Sequence, residues 1–152
     1  MIILLETNFL NIYSKFKLEF YKKIFSRFEN REATLTAVEI FCVEAIYALD
    51  KPTIQNFANF IGISSPNAAY KVNSLIKKGY VNKVQSEVDK REFHLEVSDK
   101  FMDYYGLTYD YTKVVVERMK QRFTPDEIEQ LDRFIDIIVN ELMSDANVGF
   151  DK

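Results

Sequence analysis

Residues 53–97, TIQNFANFIGISSPNAAYKVNSLIKKGYVNKVQSEVDKREFHLEV, decide the fold. Thr53 caps a helix whose apolar residues Ile54, Phe57, Ala58 and Ile61 recur at helical spacing, and Gly62 ends it with the freedom to take the positive φ of a C-cap. Ser64 then caps a second helix. The small side chains of Ala58 and Ala68, on either side of Gly62, let the two helices cross closely and steeply.

In the second helix Ala68, Val72, Leu75 and Ile76 make one apolar face, while Asn67, Tyr70, Lys71, Asn73, Ser74, Lys77 and Lys78 fall elsewhere on the wheel. Such a polar face suits a DNA major groove. Asn matches adenine, Ser and Tyr hydrogen-bond to bases or phosphates, and Lys neutralises phosphate. Gly79 ends the helix, Tyr80-Val81-Asn82-Lys83-Val84 begins a strand, and Phe93, Leu95 and Val97 alternate with Glu92, His94 and Glu96 on the return. The tip carries Asp89-Lys90-Arg91. Helix, tight turn, helix and two-stranded hairpin, in that order, describe a winged helix-turn-helix, and the first functional reading is DNA binding. An arginine on a hairpin tip beside a reading helix suits the minor groove, where narrow A·T tracts concentrate negative potential. A solvated turn is the plainer reading of the same tip.

On these residues the chain resembles the MarR family of bacterial transcription regulators. The resemblance is carried by Phe57-Ala58 to Ser64, by Leu75-Ile76-Lys77-Lys78-Gly79-Tyr80-Val81, and by Asp89-Lys90-Arg91 followed by Leu95-Glu96-Val97-Ser98. It spans nearly the whole chain in length and helix order, and its specificity lies in the order of the motifs. The family's wing usually reads Asp-x-Arg, with the arginine reaching DNA and the aspartate orienting nearby basic side chains. The resemblance assigns those roles to Asp89 and Arg91, and Lys83 stands where the family often has arginine. Tyr70 and Asn73 depart from the arginine and aspartate common in the family's reading helix, and Phe101 replaces a frequent glycine, so no operator sequence carries over. The DNA-contacting set read from the helix and wing is Ser64, Ser65, Asn67, Tyr70, Lys71, Asn73, Ser74, Lys77, Lys83, Asp89, Lys90 and Arg91.

A chain of 152 residues with 47% hydrophobic residues suits one domain with a sizeable core, and more apolar content than a lone winged helix needs. The Met-Ile-Ile-Leu-Leu start is broken by Glu6 and lacks a basic flank, unlike a signal peptide, and no stretch approaches the ~20 apolar residues of a membrane span. A cytoplasmic location is expected. The net charge of -3 divides unevenly: from Ser64 to Arg91 six basic residues face two acidic ones, a net +4, leaving -7 elsewhere.

Outside the head, Phe9, Ile12, Phe16, Phe20, Ile24 and Phe28 step by three and four along one long amphipathic helix. A helix after Thr36 is apolar on nearly every side, the pattern of a central buried helix. Ser98 caps a helix expected to run to about Arg122, roughly 36 Å at 1.5 Å per residue. Thr124-Pro125-Asp126-Glu127 then opens a last helix with Ile128, Leu131, Ile135, Ile138 and Leu142 at heptad spacing, a seam that calls for a partner helix. The expected architecture is mainly α with a small β-hairpin wing, one MarR-like domain over 1–152. Residues 36–97 form the winged lobe, and 1–35 with 98–147 form dimerisation helices. Two heads about 34 Å apart imply a homodimer on a pseudo-palindromic stretch of double-stranded DNA. Packing within one chain is the other use for that seam.

Aromatic residues near the junction of head and helices, Phe16, Tyr47, Tyr104 and Tyr105, are candidates for contact with a small aromatic or acyl effector, because such regulators often bind one there. An aromatic stripe serves equally as core. Cys42, the only cysteine, lies in the most apolar helix and reads as a buried, inert thiol. The single histidine, His94, points to the outer side of its strand, so no metal site is expected, and no cofactor. Neither a nucleophile elbow nor a phosphate-cradling glycine loop is present, so the chain does not read as an enzyme. The sequence reads as a homodimeric DNA-binding regulator, by family analogy a repressor. The alternative is a winged helix that docks proteins, which the +4 head disfavours.

Overall fold

The computed structural model describes residues 2–29, 35–105 and 107–146. Helix α1 (Ile2–Glu29) precedes the winged lobe of α2 (Ala37–Ala48), α3 (Ile54–Ile61), α4 (Ser65–Lys77), β1 (Val81–Gln85) and β2 (Phe93–Val97). Helices α5 (Asp99–Tyr105), α6 (Leu107–Arg122) and α7 (Pro125–Ile137) follow. The one helix expected from Ser98 to Arg122 corresponds to α5 and α6, and residue 106 between them lies outside the described residues.

Local chemistry sets the helix starts. Thr36, Thr53 and Thr124 each form a capping box, the threonine hydroxyl accepting from the third helical amide while that residue's side chain returns to the cap's own N–H. Gly62 closes α3 in the left-handed region at φ 72°, where a Cβ is disfavoured, and so allows the immediate turn into α4. Gly79 does the same at φ 83° between α4 and β1.

The core is the lobe itself. Phe57 and Ala58 of α3, Ala68, Val72 and Leu75 of α4, Tyr80, Val81 and Leu95 of the hairpin, and Ile40, Val43 and Ile46 of α2 are almost wholly buried. Ile24 from α1 and Phe101 from α5 complete the same cluster. The strands pair antiparallel, Val81 opposite Val97 and Gln85 opposite Phe93. Along the other side of β2 the segment before α3 acts as a partial third strand, with the Leu95 amide donating to the Pro52 carbonyl at 2.8 Å and His94 Nδ1 donating to the Lys51 carbonyl at 2.8 Å. Asp50 and Lys51 reach it through left-handed conformations at φ 52° and 60°, a mild strain for residues with a Cβ.

Two expectations need correction. Helix α2 is buried on one side only: Val38 and Phe41 on the other side are more than half exposed, because no described element of the chain covers them. The heptad seam does not continue as an α-helix to Leu142, since Ile138–Leu142 is a π-helical turn. That wider turn shifts the register, so the step from Ile135 to Leu142 is lost.

Glu44, half-buried on α2, has its carboxyl pushed up to about 7 by burial. A carboxyl raised in the folded state favours folding while protonated, so its contribution is fullest below the ordinary 4.5 and is lost as the pH rises towards about 7. Urea titrations across that range should show Glu44→Gln gaining stability relative to the parent as the pH rises. In the same assay Phe101→Ala, which empties a site 1% exposed, should cost about 3–5 kcal/mol.

Candidate nucleic-acid interface

Helix α4 is held by one face and open on the other. Ala68, Val72 and Leu75 are buried against the lobe, while Asn67, Tyr70, Lys71, Asn73 and Lys77 are exposed, Tyr70 at 79%. Ser64 accepts from the Asn67 amide at 3.4 Å, so its hydroxyl is the helix cap. Ser65 is half-buried and donates to the Gln55 side chain of α3. Ser74 is also half-buried, in a cleft of about 130 Å³ between α2 and α4 lined by Val38, Glu39, Cys42 and Tyr70. Of the residues read from sequence, the exposed five form the accessible face, and the three serines serve packing or capping as well.

Charge is arranged by pairing. Lys78 is bound at 2.7 Å by Glu39 of α2, which joins the end of α4 to the core helix and removes Lys78 from the phosphate-seeking set expected from the helical wheel. Burial raises the Glu39 pKa, but its bonds to Lys78 and to Thr36 outweigh that and hold the carboxyl below its usual range. Among the described residues, Lys71, Lys77, Lys83, Lys90 and Arg91 have no carboxylate within ion-pair distance. Lys83 instead lies over the Phe93 ring, 4.8 Å from its centroid, which braces its stem along the hairpin.

The wing tip is closed by its own hydrogen bonds. The Arg91 amide donates to Asp89 Oδ1 at 2.9 Å and the Glu92 amide to the Asp89 carbonyl at 3.0 Å. Ser86 Oγ accepts from the amides of Val88 and Asp89 at 3.3 Å, and Gln85 Nε2 donates to the Lys90 carbonyl at 2.6 Å. Asp89 therefore shapes the turn, and the side chains of Lys90 and Arg91 are left exposed. Sequence reasoning missed Val88, which is 97% exposed at this tip. An apolar residue between Glu87 and Asp89 in a hairpin turn was the available signal.

At the root of the wing the Ser98 hydroxyl, expected only as a helix cap, also donates to the Gly79 carbonyl at 2.6 Å. The Ser98 amide donates to the Tyr80 carbonyl at 2.9 Å, and Phe101 meets the Tyr80 ring edge-on at 6.3 Å. Lys100 Nζ donates to the Lys78 carbonyl at 2.8 Å and lies 4.5 Å from the centre of the Tyr80 ring.

This ordered lobe matches the MarR family model over residues 35–93. YkoM of Bacillus subtilis (strain 168), described as an uncharacterized HTH-type transcriptional regulator, is 24% identical over 103 residues, 68% of this chain and 67% of its own length. FabT of Streptococcus pneumoniae, solved in complex with DNA, has a TM-score of 0.57 at 18% identity, covering 95% of this chain and 99% of that one. The transcriptional regulator Tm0710 of Thermotoga maritima has a TM-score of 0.54 at 14% identity, covering 96% of this chain and 98% of its own. Likeness of this degree shows that the lobe and the long helices around it share the fold of these structures.

Of the four aromatic residues expected to contact an effector, the side chains of Phe16 and Tyr47 are described. Phe16 packs edge-on against Tyr111 of α6 at 5.4 Å. Tyr47 lines a separate cleft of about 440 Å³ between the end of α2 and β2, with Lys51, Glu96 and Val97. The side chains of Tyr104 and Tyr105 lie outside the described residues. Cys42 is buried, and burial pushes its thiol up, away from the thiolate that reactivity requires. Among the described residues no three His, Cys, Asp or Glu side chains converge as metal ligands, and no helix is long and apolar enough to cross a membrane.

Proposed function

We propose that this chain is a sequence-specific, DNA-binding transcriptional regulator that acts as a homodimer. The observation that carries the reading is the separation of charge on the lobe: Lys78 is neutralised internally, while among the described residues no carboxylate pairs with Lys71, Lys77, Lys83, Lys90 or Arg91 on the reading helix and wing. Unpaired cations on one module are what a phosphate backbone rewards. In this reading Asn67, Tyr70, Lys71, Asn73 and Lys77 enter the major groove with Ser64, Ser65 and Ser74 at its edge, and Lys83, Lys90 and Arg91 follow the backbone into the adjacent minor groove. Asp89 holds the turn that aims them. The DNA complex of the similarly folded FabT supports this assignment.

The dimer reading rests on uncovered apolar surface. Leu5, Phe9, Ile12 and Phe25 of α1, Phe134 and Ile135 of α7 and Leu142 of the π turn are all exposed in the single chain. Surface of that kind spread over long helices fits association with a second copy through residues 1–35 and 98–147. A dimer bound across a promoter acts most simply by occluding it, hence as a repressor. Control by a small aromatic or acyl compound fits the groove of about 210 Å³ between α1 and α2, which Tyr21, Ile24, Phe25, Ala37, Ile40 and Phe41 line almost entirely with apolar atoms.

The test is binding of the full chain to its own upstream DNA and to scrambled competitor at roughly 50 and 200 mM salt, with the mass of the complex measured by light scattering. Specific, salt-sensitive binding by a dimer supports the regulator. Absence of binding to any DNA at low salt would leave a protein-docking winged helix in its place. Lys71→Ala should reduce the salt slope by about one, and Arg91→Ala should weaken operator binding about tenfold, both read by fluorescence anisotropy.

A further inference from the structure

We infer that Val88 is a minor-groove contact that selects A·T over G·C pairs beside the site read by α4, an inference that rests on the DNA-binding reading above. Its side chain is 97% exposed at the tip of the wing. Among the described residues no side chain buries it. Turn tips favour Gly, Asn, Asp and Ser, which hydrogen-bond locally or tolerate unusual φ, and a β-branched apolar residue brings neither advantage. The tip is nevertheless a fixed platform, because Ser86 Oγ takes the amides of Val88 and Asp89, Asp89 takes the amides of Arg91 and Glu92, and Gln85 holds the Lys90 carbonyl. A valine has essentially one side-chain torsion to fix, so little freedom is lost when such a platform carries it into a groove.

Its neighbours define the place it reaches. Lys90 and Arg91, exposed and without carboxylate partners among the described residues, seek phosphates and the negative potential of a narrow minor groove. Two methyl groups delivered there meet the groove floor. At A·T pairs the floor shows only the N3 and O2 acceptors and nothing projects, whereas guanine adds its N2 amine. An alkyl group gives that amine no acceptor and displaces the water that satisfied it, so a G·C pair is penalised by an unpaired donor rather than by a lost attraction.

The experiment uses the full chain and a duplex enriched by it from a randomised pool, in three versions. The first is as selected, the second has the A·T pairs flanking the α4 site replaced by G·C, and the third has them replaced by inosine·cytosine. Inosine keeps guanine's major-groove pattern and lacks the N2 amine, which isolates the minor groove. The parent should bind the first and third versions alike and the second about tenfold more weakly. Val88→Ala should lose about three- to tenfold on the first and third versions and narrow the gap to the second. Its melting temperature should not change, since the side chain has no packing partner to lose. Equal affinity and an unchanged gap in Val88→Ala would overturn the inference while leaving DNA binding intact, and so would an equal loss on all three versions. Failure of the parent to enrich any duplex would overturn the DNA-binding reading itself.

Discussion

The end of helix α4 and the root of the wing are joined by the bond from the Ser98 hydroxyl to the Gly79 carbonyl. Gly79 is the left-handed residue that ends α4 and releases β1, and Ser98 is the residue that ends β2 and starts α5. One hydroxyl at the crossing of two chain reversals fixes the exit of the helix, both roots of the wing and the entry to the following helices. Tyr80 and Phe101 fill the space around it, and Lys100 covers the outer side of the Tyr80 ring. Buried polar and aromatic contacts reinforce each other here, since the apolar surround strengthens the hydrogen bond and the bond fixes where the rings meet.

A second constraint is electrostatic. The lobe neutralises Lys78 with Glu39, where the pair joins two helices, while among the described residues Lys71, Lys77, Lys83, Lys90 and Arg91 have no carboxylate partner. The acidic excess outside the head therefore coexists with a basic reading surface, because screening confines each exposed charge to its surroundings within about 8–10 Å. Net charge over the whole chain says little about what its lobe attracts.

How much of this was legible from the residues depended on whether the signal was local. Capping Thr53 and Ser64, the αL glycines at 62 and 79, and the alternation of Phe93, Leu95 and Val97 each express a backbone need within a few residues, and these elements stand where the pattern placed them. Lys78 looked like part of the polar face because its partner lies 39 residues earlier. Ser98 looked like a cap alone because Gly79 lies 19 residues away. Helix α2 looked central because composition does not show which of its sides the rest of the chain covers. The π turn at Ile138–Leu142 leaves no mark in an apolar spacing that fits the heptad until the turn itself is seen.

The self-sufficiency of the wing tip has an evolutionary consequence. Its hydrogen bonds run among residues 85 to 92 and borrow nothing from the lobe, so the outward side chains at Val88, Lys90 and Arg91 can be exchanged without unsettling the core. Helix α4 has less of that freedom, because one of its faces packs against α2 and α3. Lineages descended from such a chain would then drift first at the hairpin, acquiring new flanking preferences while the central recognition and the thermal robustness of the protein stay as they were.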